Sequence, residues 1–450
     1  MKPISFKDLA KYLDLSQPSE VMITGFAIDS RRLQPGDLFF ALTGSRCDGH
    51  NFIEVIANQG AAGAIVREDY RGPSYGIPLL YVPNVLVFLQ NLARKILEKR
   101  ASKVIAVTGS VGKTTVKGFI TTLMQSSFKI FSSPLSYNSQ VTLPLSILLA
   151  DGTEDYLILE MGMSNKGDLK NLISIAPPDI AIITTVAIQH AVNFSDGLAG
   201  ISREKASIFS HPKTELGFLH QDIEYFKEVY STGSCRKNTF SITSKQADYY
   251  LEVVTNGVRI YPKENHCVEI PLSLPMKAHY QNFLAAVAIA RALNISWSLI
   301  RKRAAFIQLP PMRFEKIVRQ GVTFINDAYN ANPDSMKAAL ENLPKAQIGN
   351  KVIGVLSEMN ALGTYTEEAH ALIGKVALKY IDHLMCLGDY CKIMHKIWLE
   401  KKKHVEFFET REALEFSLVQ QVKPGDIVLL KGARVYELEK ILNHPAFHQN

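Results

Sequence analysis

Cysteine is scarce. The 450 residues hold five, at Cys47, Cys235, Cys267, Cys386 and Cys391. Few, odd in number and scattered, they argue against a disulfide framework and for a reducing, cytoplasmic setting. No apolar run reaches the roughly 18 residues that a membrane span requires. The first residues also lack the apolar stretch of a signal peptide. Blocks of one charge are missing too. The 50 Lys and Arg stand against 43 Asp and Glu, a balance of +7. The densest basic run, Lys401 to Lys403, reads as a solvated helix end, so no nucleic-acid partner is expected. A mild positive excess suits an anionic small substrate. His383, Cys386, Cys391 and His395 have the residue types of a zinc site. Yet a strand expected at Leu384 to Leu387 and a helix from Cys391 turn them apart.

What is present begins with Val104 to Met124, VIAVTGSVGKTTVKGFITTLM. β-Formers from Val104 to Thr108 stop at Gly109. Ser110, Val111 and Gly112 make a turn, and Lys113, Thr114 and Thr115 open an apolar-periodic helix. A strand, a glycine turn and a helix N-terminus together form a phosphate site. Glycine lets backbone N–H groups approach oxygens, and the helix dipole favours negative charge. The loop is therefore expected to bind ATP, with Lys113 on the outer phosphates and the Thr114 hydroxyl on Mg²⁺. The glycine usual four residues before the G-K-[ST] is Val107 here, so the loop is a short form.

The length suggests three domains, read as residues 1–100, 101–308 and 309–450. In the first, Phe6, Leu9, Ala10 and Leu13 give an amphipathic helix. Pro35-Gly36-Asp37 turns into a strand, Leu38 to Leu42. A helix, Ile53 to Gln59, and a strand, Gly63 to Val66, follow. Arg31 could hold a phosphorylated ligand or a surface ion pair. In the second, Tyr156 to Met161 is a buried strand ending on Glu160, and Ile180 to Val186 runs toward His190. A short helix, Ser202 to Ser210, carries Lys205. Open parallel sheets bind ligands beyond the carboxyl ends of their strands. Thr114, Glu160 and His190 are thus expected at one edge, where oxygen and imidazole groups could hold Mg²⁺. Residues 215–275 offer no visible chemistry, and His279 to Ala292 is a packed helix. The third domain alternates strands and helices, with strands at Val322 to Asn326, Val352 to Leu356, Leu384 to Leu387, Val405 to Phe408 and Ile427 to Leu430. Asp327, Asn330 and Asn332 follow its first strand, and Asn332 also suits a helix cap before Pro333. Lys431-Gly432-Ala433-Arg434 follows its last. The expected fold is α/β. A central doubly wound P-loop sheet is flanked by a small N-terminal α/β domain and a C-terminal Rossmann-like domain.

Taken together, these segments resemble the Mur ligases, the ATP-dependent amide-forming enzymes of peptidoglycan synthesis. The resemblance rests on Asp29-Ser30-Arg31 with Pro35-Gly36-Asp37, the TGSVGKTT loop and Asn138 six residues before Pro144. It continues through Glu160-Met161-Gly162, His190, Arg203-Glu204-Lys205-Ala206 and Lys431-Gly432-Ala433-Arg434. The run Asp327 to Met336, with Ser357-Glu358-Met359, Leu362-Gly363 and His370, looks like the branch that adds D-alanyl-D-alanine to UDP-N-acetylmuramoyl-tripeptide. The D-N-P-R motif of diaminopimelate-adding relatives is absent. The resemblance implies that Thr114 and Glu160 hold one Mg²⁺, and that His190 and a carbamylated Lys205 hold another. It puts Asn282 beside adenine, Asp327 at the ribose, Arg313 on a phosphate and Asn138 near the reacting groups. Ser30 and Arg31 fall on the UDP side, and Asn330 and Asn332 on the incoming dipeptide. A monomer is expected. Two motifs depart from the pattern. His190-Ala191-Val192-Asn193-Phe194 lacks the family's acidic residue, and His279-Tyr280-Gln281-Asn282 is one residue short of the adenine motif. Thr142 also replaces a usual glycine.

Overall fold

The computed structural model describes residues 3–44, 47–263 and 266–448. Among these residues lie three α/β layers, each built on its own sheet, and one short antiparallel pair, Ile4–Ser5 with Met22–Ile23. The first sheet has four parallel strands, Gly25–Ala27, Asp37–Phe40, Gly63–Arg67 and Leu79–Val82. Helix Val85–Glu98 leads out of it. Its Leu89, Leu92 and Ala93 are fully buried, in one core cluster running from Phe6 through the central domain to Val229. Each such leucine contributes about 1.5–3 kcal/mol.

The central sheet has nine strands. The phosphate-loop strand Lys103–Thr108 lies third from one edge, between Tyr156–Glu160 and Ile180–Ile183, with parallel register on both sides. All but Lys103 of its six residues are buried, which a strand covered on both faces requires. Residues 215–275 extend this sheet through five further strands. The last two, Gly257–Pro262 and Val268–Ile270, are antiparallel. Helices Lys113–Met124 and Lys277–Ala292 cover one face with a second apolar cluster.

The third sheet has six strands. Five are the expected parallel ones. The sixth, Glu315–Arg319, is an antiparallel edge strand whose polar residues hid its period of two. This domain has two apolar clusters, one of which also takes in Met276 of the central domain.

Two expected elements change. The strand from Ile180 ends at Ile183, three residues early. There Thr184 Oγ1 donates to Val111 O at 2.5 Å and Thr185 O accepts from Ser110 N at 2.9 Å, so the chain braces the phosphate loop instead of the sheet. The helix carrying Lys205 starts at Gly197 and ends at Ala206, with a 3₁₀ turn, Ser207–Phe209, after it.

Candidate active site

A cavity of about 890 Å³ opens at the carboxyl ends of the central strands, with the third domain forming its opposite wall. The phosphate loop lies on one side of it. Gly112, at φ +90°, starts helix Lys113–Met124 with no side-chain cap, leaving the first N–H groups free for an anion. A Cβ there would lie 2.5 Å from Asn282 Oδ1, so glycine is required both by conformation and by space. Thr108 and Gly109, expected at the nucleotide, do not line the cavity. The Thr108 hydroxyl instead donates to Met161 O (2.8 Å), tying adjacent strands, and Gly109 packs against Thr184. Ser110, Val111, Gly112, Lys113, Thr114 and Thr115 do line it. The Ser110 hydroxyl bonds Ala187 O, and Lys113 Nζ donates to Gly109 O at 2.8 Å.

Glu160 ends its strand with only 1% of its surface exposed. Thr114 Oγ1 donates to its Oε2 at 2.8 Å, and Asn138 Nδ2 donates to its Oε1 at 2.7 Å. Lys117 Nζ stands 3.8 Å from Oε2 and donates to Ser133 O and Leu135 O. Lys117 was not anticipated. It sits four residues after Lys113, on the same helix face, and that spacing was the available signal. Burial lowers the pKa of both lysines, Glu160 opposes the shift and Arg313 adds to it. The hydroxyl of Thr114 and the carboxylate of Glu160 are hard oxygen donors side by side, a fit for Mg²⁺.

On the other flank stand two bases. His190, in left-handed conformation at φ 57°, opens the short turn Ala191–Asn193. Burial first, then Lys113 and Lys205, push its pKa down to about 4. Val192, where the acidic residue is missing, is exposed, and the next residue, Asn193, ties this turn to Ser164 O at 3.0 Å. Lys205 is 3% exposed. Burial, with Lys113 nearby, holds its amine well below the usual lysine range. Its neighbour Glu204 is occupied elsewhere, accepting from Gly167 N and Leu169 N at 2.9 Å each.

The third domain supplies the facing wall. Arg313 lies between Met312 and Phe314, both left-handed at φ 58° and 55°. Its guanidinium stacks 3.6 Å from the centre of the Tyr329 ring. Asp327 accepts from Phe314 N (3.0 Å) through Oδ1 and from Lys431 Nζ (2.5 Å) through Oδ2. A ribose would meet only its remaining lone pairs. Asn330 Oδ1 accepts from Ala331 N, and Asn332 caps helix Pro333–Glu341 in a capping box with Ser335. Both asparagines line the cavity. His370 accepts from Met359 N through Nε2 (3.1 Å), bracing the loop after strand Val352–Ser357.

Two residues stand apart from the cavity, and one expectation needs correction. Ser30 and Arg31 do not reach this cavity. Arg31, its side chain 86% exposed, forms an ion pair with Asp29 at 2.7 Å, and Ser30 is buried. Residues 215–275 do carry polar groups into the site. His220 ends strand Leu216–His220, and with Asp222 and Thr243 it lines the end of the cavity beside Asn282 and Gln281. His220 Nε2 is 3.3 Å from Asp222 Oδ2, and hydrogen bonds from His220, Ser241 and Thr243 bring the Asp222 pKa to about 2. The strand-end rule that found Glu160 would have found His220.

Comparison with known proteins accords with this arrangement. Residues 22–95 match the model "Mur ligase family, catalytic domain", residues 107–290 the Mur ligase middle domain, and residues 312–434 the "Mur ligase, glutamate ligase domain". The UDP-N-acetylmuramoyl-tripeptide–D-alanyl-D-alanine ligase of Treponema pallidum is 30% identical over 434 residues, covering 93% of this chain and 92% of that protein. The crystal structure of MurF from Acinetobacter baumannii superposes with a TM-score of 0.83 at 25% identity, over 99% of both chains. The MurF ligase of Thermotoga maritima in complex with ADP superposes with a TM-score of 0.75 at 25% identity, over 94% of this chain and 97% of that one. Three family segments in order, and a relative matched nearly end to end, make this chain a member of the Mur ligase family.

Proposed function

We propose that this chain joins D-alanyl-D-alanine to UDP-N-acetylmuramoyl-tripeptide with hydrolysis of ATP to ADP and phosphate. The observation that carries the reading is the single cavity into which the phosphate loop, Glu160, the two bases and the third domain's Arg313 all project. Relatives named for that reaction, matched along nearly their whole length, support it.

In this reading the tripeptide carboxylate attacks the γ-phosphorus, the bond to the β-phosphate oxygen breaks, and an acyl phosphate and ADP result. The dipeptide amine then attacks the acyl carbon and phosphate departs. Several anions must meet, so the protein's work is positioning and charge neutralisation. The free N–H groups after Gly112 and the Lys113 ammonium hold the phosphates. Arg313 neutralises them from the facing wall. Asn282 borders the adenine end, with His220 and Asp222 beyond it. Thr114 and Glu160 would hold Mg²⁺, which when bound would supply Lewis-acid polarisation of the phosphoryl oxygens. A second Mg²⁺ would lie with His190 and carbamylated Lys205. The depressed Lys205 pKa supports this, because only a neutral amine adds CO₂, and a carbamate converts the base into an anionic oxygen donor. Asn330 and Asn332 face the incoming dipeptide, and Ser30 and Arg31 the UDP end of the long substrate.

The test is phosphate release from ATP with UDP-N-acetylmuramoyl-tripeptide, with and without D-alanyl-D-alanine. Release that needs both, with a pentapeptide product by mass, is expected. Release that needs a single amino acid and a shorter UDP-peptide would overturn the assignment.

A further inference from the structure

A second polar cluster lies in the third domain, at the opposite end of its sheet from the cavity. Strands His383–Leu387 and His404–Phe408 are parallel, with His383 opposite His404 and Met385 opposite Glu406. Side chains alternate along a strand, so His404 and Glu406 share a face, and His383 joins them across the ladder. The two imidazole rings stack at 3.7 Å with 7° between their planes, and Glu406 Oε1 is 2.9 Å from His383 Nε2. One ligand atom from each of the three residues lies within 4.8 Å of the others.

Two features set this cluster apart from an ordinary surface ion pair. His383 is 99% buried, and neither of its ring nitrogens makes a well-aligned hydrogen bond. Its Nδ1 has no partner, and its Nε2 has the Glu406 carboxylate as a neighbour without a well-aligned bond, so the buried ring is under-satisfied. Glu406 is the reverse: Ser417 Oγ donates to its Oε2 at 2.9 Å and Gln421 Nε2 to its Oε1 at 2.6 Å. Two imidazoles and a carboxylate oriented by outer hydrogen bonds are the donor types of a transition-metal site, and the exposed His404 ring would turn out of its stack on His383 to bring both nitrogens to one ion. The set named from sequence is not this one. Cys386 and Cys391 are buried in the apolar core, and His395 packs on Phe407.

We propose that His383, His404 and Glu406 bind a divalent transition-metal ion, zinc being the best match, at a structural site that fastens the edge strand His404–Phe408 to the sheet. The site is independent of the Mg²⁺ positions in the cavity. The test uses the full chain, equilibrated with zinc under excess Mg²⁺ and then desalted. Wild type is expected to retain one zinc more than His404→Ala and Glu406→Gln. X-ray absorption of the wild-type protein should show two imidazole nitrogens. Zinc should raise the melting temperature of wild type and leave that of His404→Ala unmoved. His404 is exposed, so its replacement leaves a folded protein for the comparison. Equal zinc in all three proteins, or bound zinc without imidazole scattering, overturns the proposal.

Discussion

The two flanks of the phosphate loop are built on opposite principles. On one side Glu160 is surrounded by donors: Thr114, Asn138 and, farther off, Lys117. On the other, His190 and Lys205 are desolvated bases, and the one acid next to Lys205 in sequence caps a distant helix. The first flank is preformed and balanced. The second holds positive-capable groups in a place that disfavours their charge, and a ligand or a modification would supply its negative charge.

The largest break in this contrast is expected from Glu160→Gln. It removes the acid that faces Lys113 and Lys117, and leaving buried cations unpaired costs about 3–5 kcal/mol. Chemical denaturation would measure the loss, with phosphate release nearly abolished. Lys205→Ala acts on the other flank. Phosphate release is expected to fall about 10²–10³-fold with stability held, and a short carboxylic acid should restore part of it. Full activity without the added acid would remove the carbamate from the account. His279 sharpens the comparison by pH. It is a buried base on the cavity wall, its pKa lowered by burial to about 4. Between there and the ordinary histidine value near 6.5 the unfolded chain binds more protons than the folded one. Stability therefore rises with pH across that window and is lost on acidification. His279→Asn should flatten the slope by on the order of 3 kcal/mol, read from melts at stepped pH. The smallest effect is expected at Gly112→Ala. The left-handed backbone and the contact with Asn282 should cost about 1–2 kcal/mol in stability, and ADP binding by calorimetry should weaken with it.

How much of this was legible in the sequence follows from how local each signal was. The phosphate loop is written in consecutive residues, and its strand, turn and helix stand where they were expected. Glu160 and His190 were found because a strand's end is readable from its apolar run. Lys431 and Asp327 are 104 positions apart, and no local pattern announces that their side chains meet. Thr108 shows the opposite failure: it belongs to the motif in sequence, yet its hydroxyl turns to the neighbouring strand. Arg31 was ambiguous on charge alone, since phosphate and carboxylate both attract guanidinium, and in the fold its own Asp29 holds it. The edge strand Glu315–Arg319 was missed because three of its five residues are charged.

One consequence concerns how the chain comes apart. The apolar cluster that begins at Phe6 crosses into the central domain without interruption, by way of helix Val85–Glu98. A cut after residue 100 would leave Leu89, Leu92 and Ile96 facing water on one fragment and Leu145, Leu148 and Leu169 on the other. Three sheets are therefore expected to make two melting units: the first and second rise and fall as one, while the third, whose clusters meet the central domain at Met276 and Ile188, melts apart from them. Calorimetry of the whole chain would register two transitions, the larger belonging to residues 1–308.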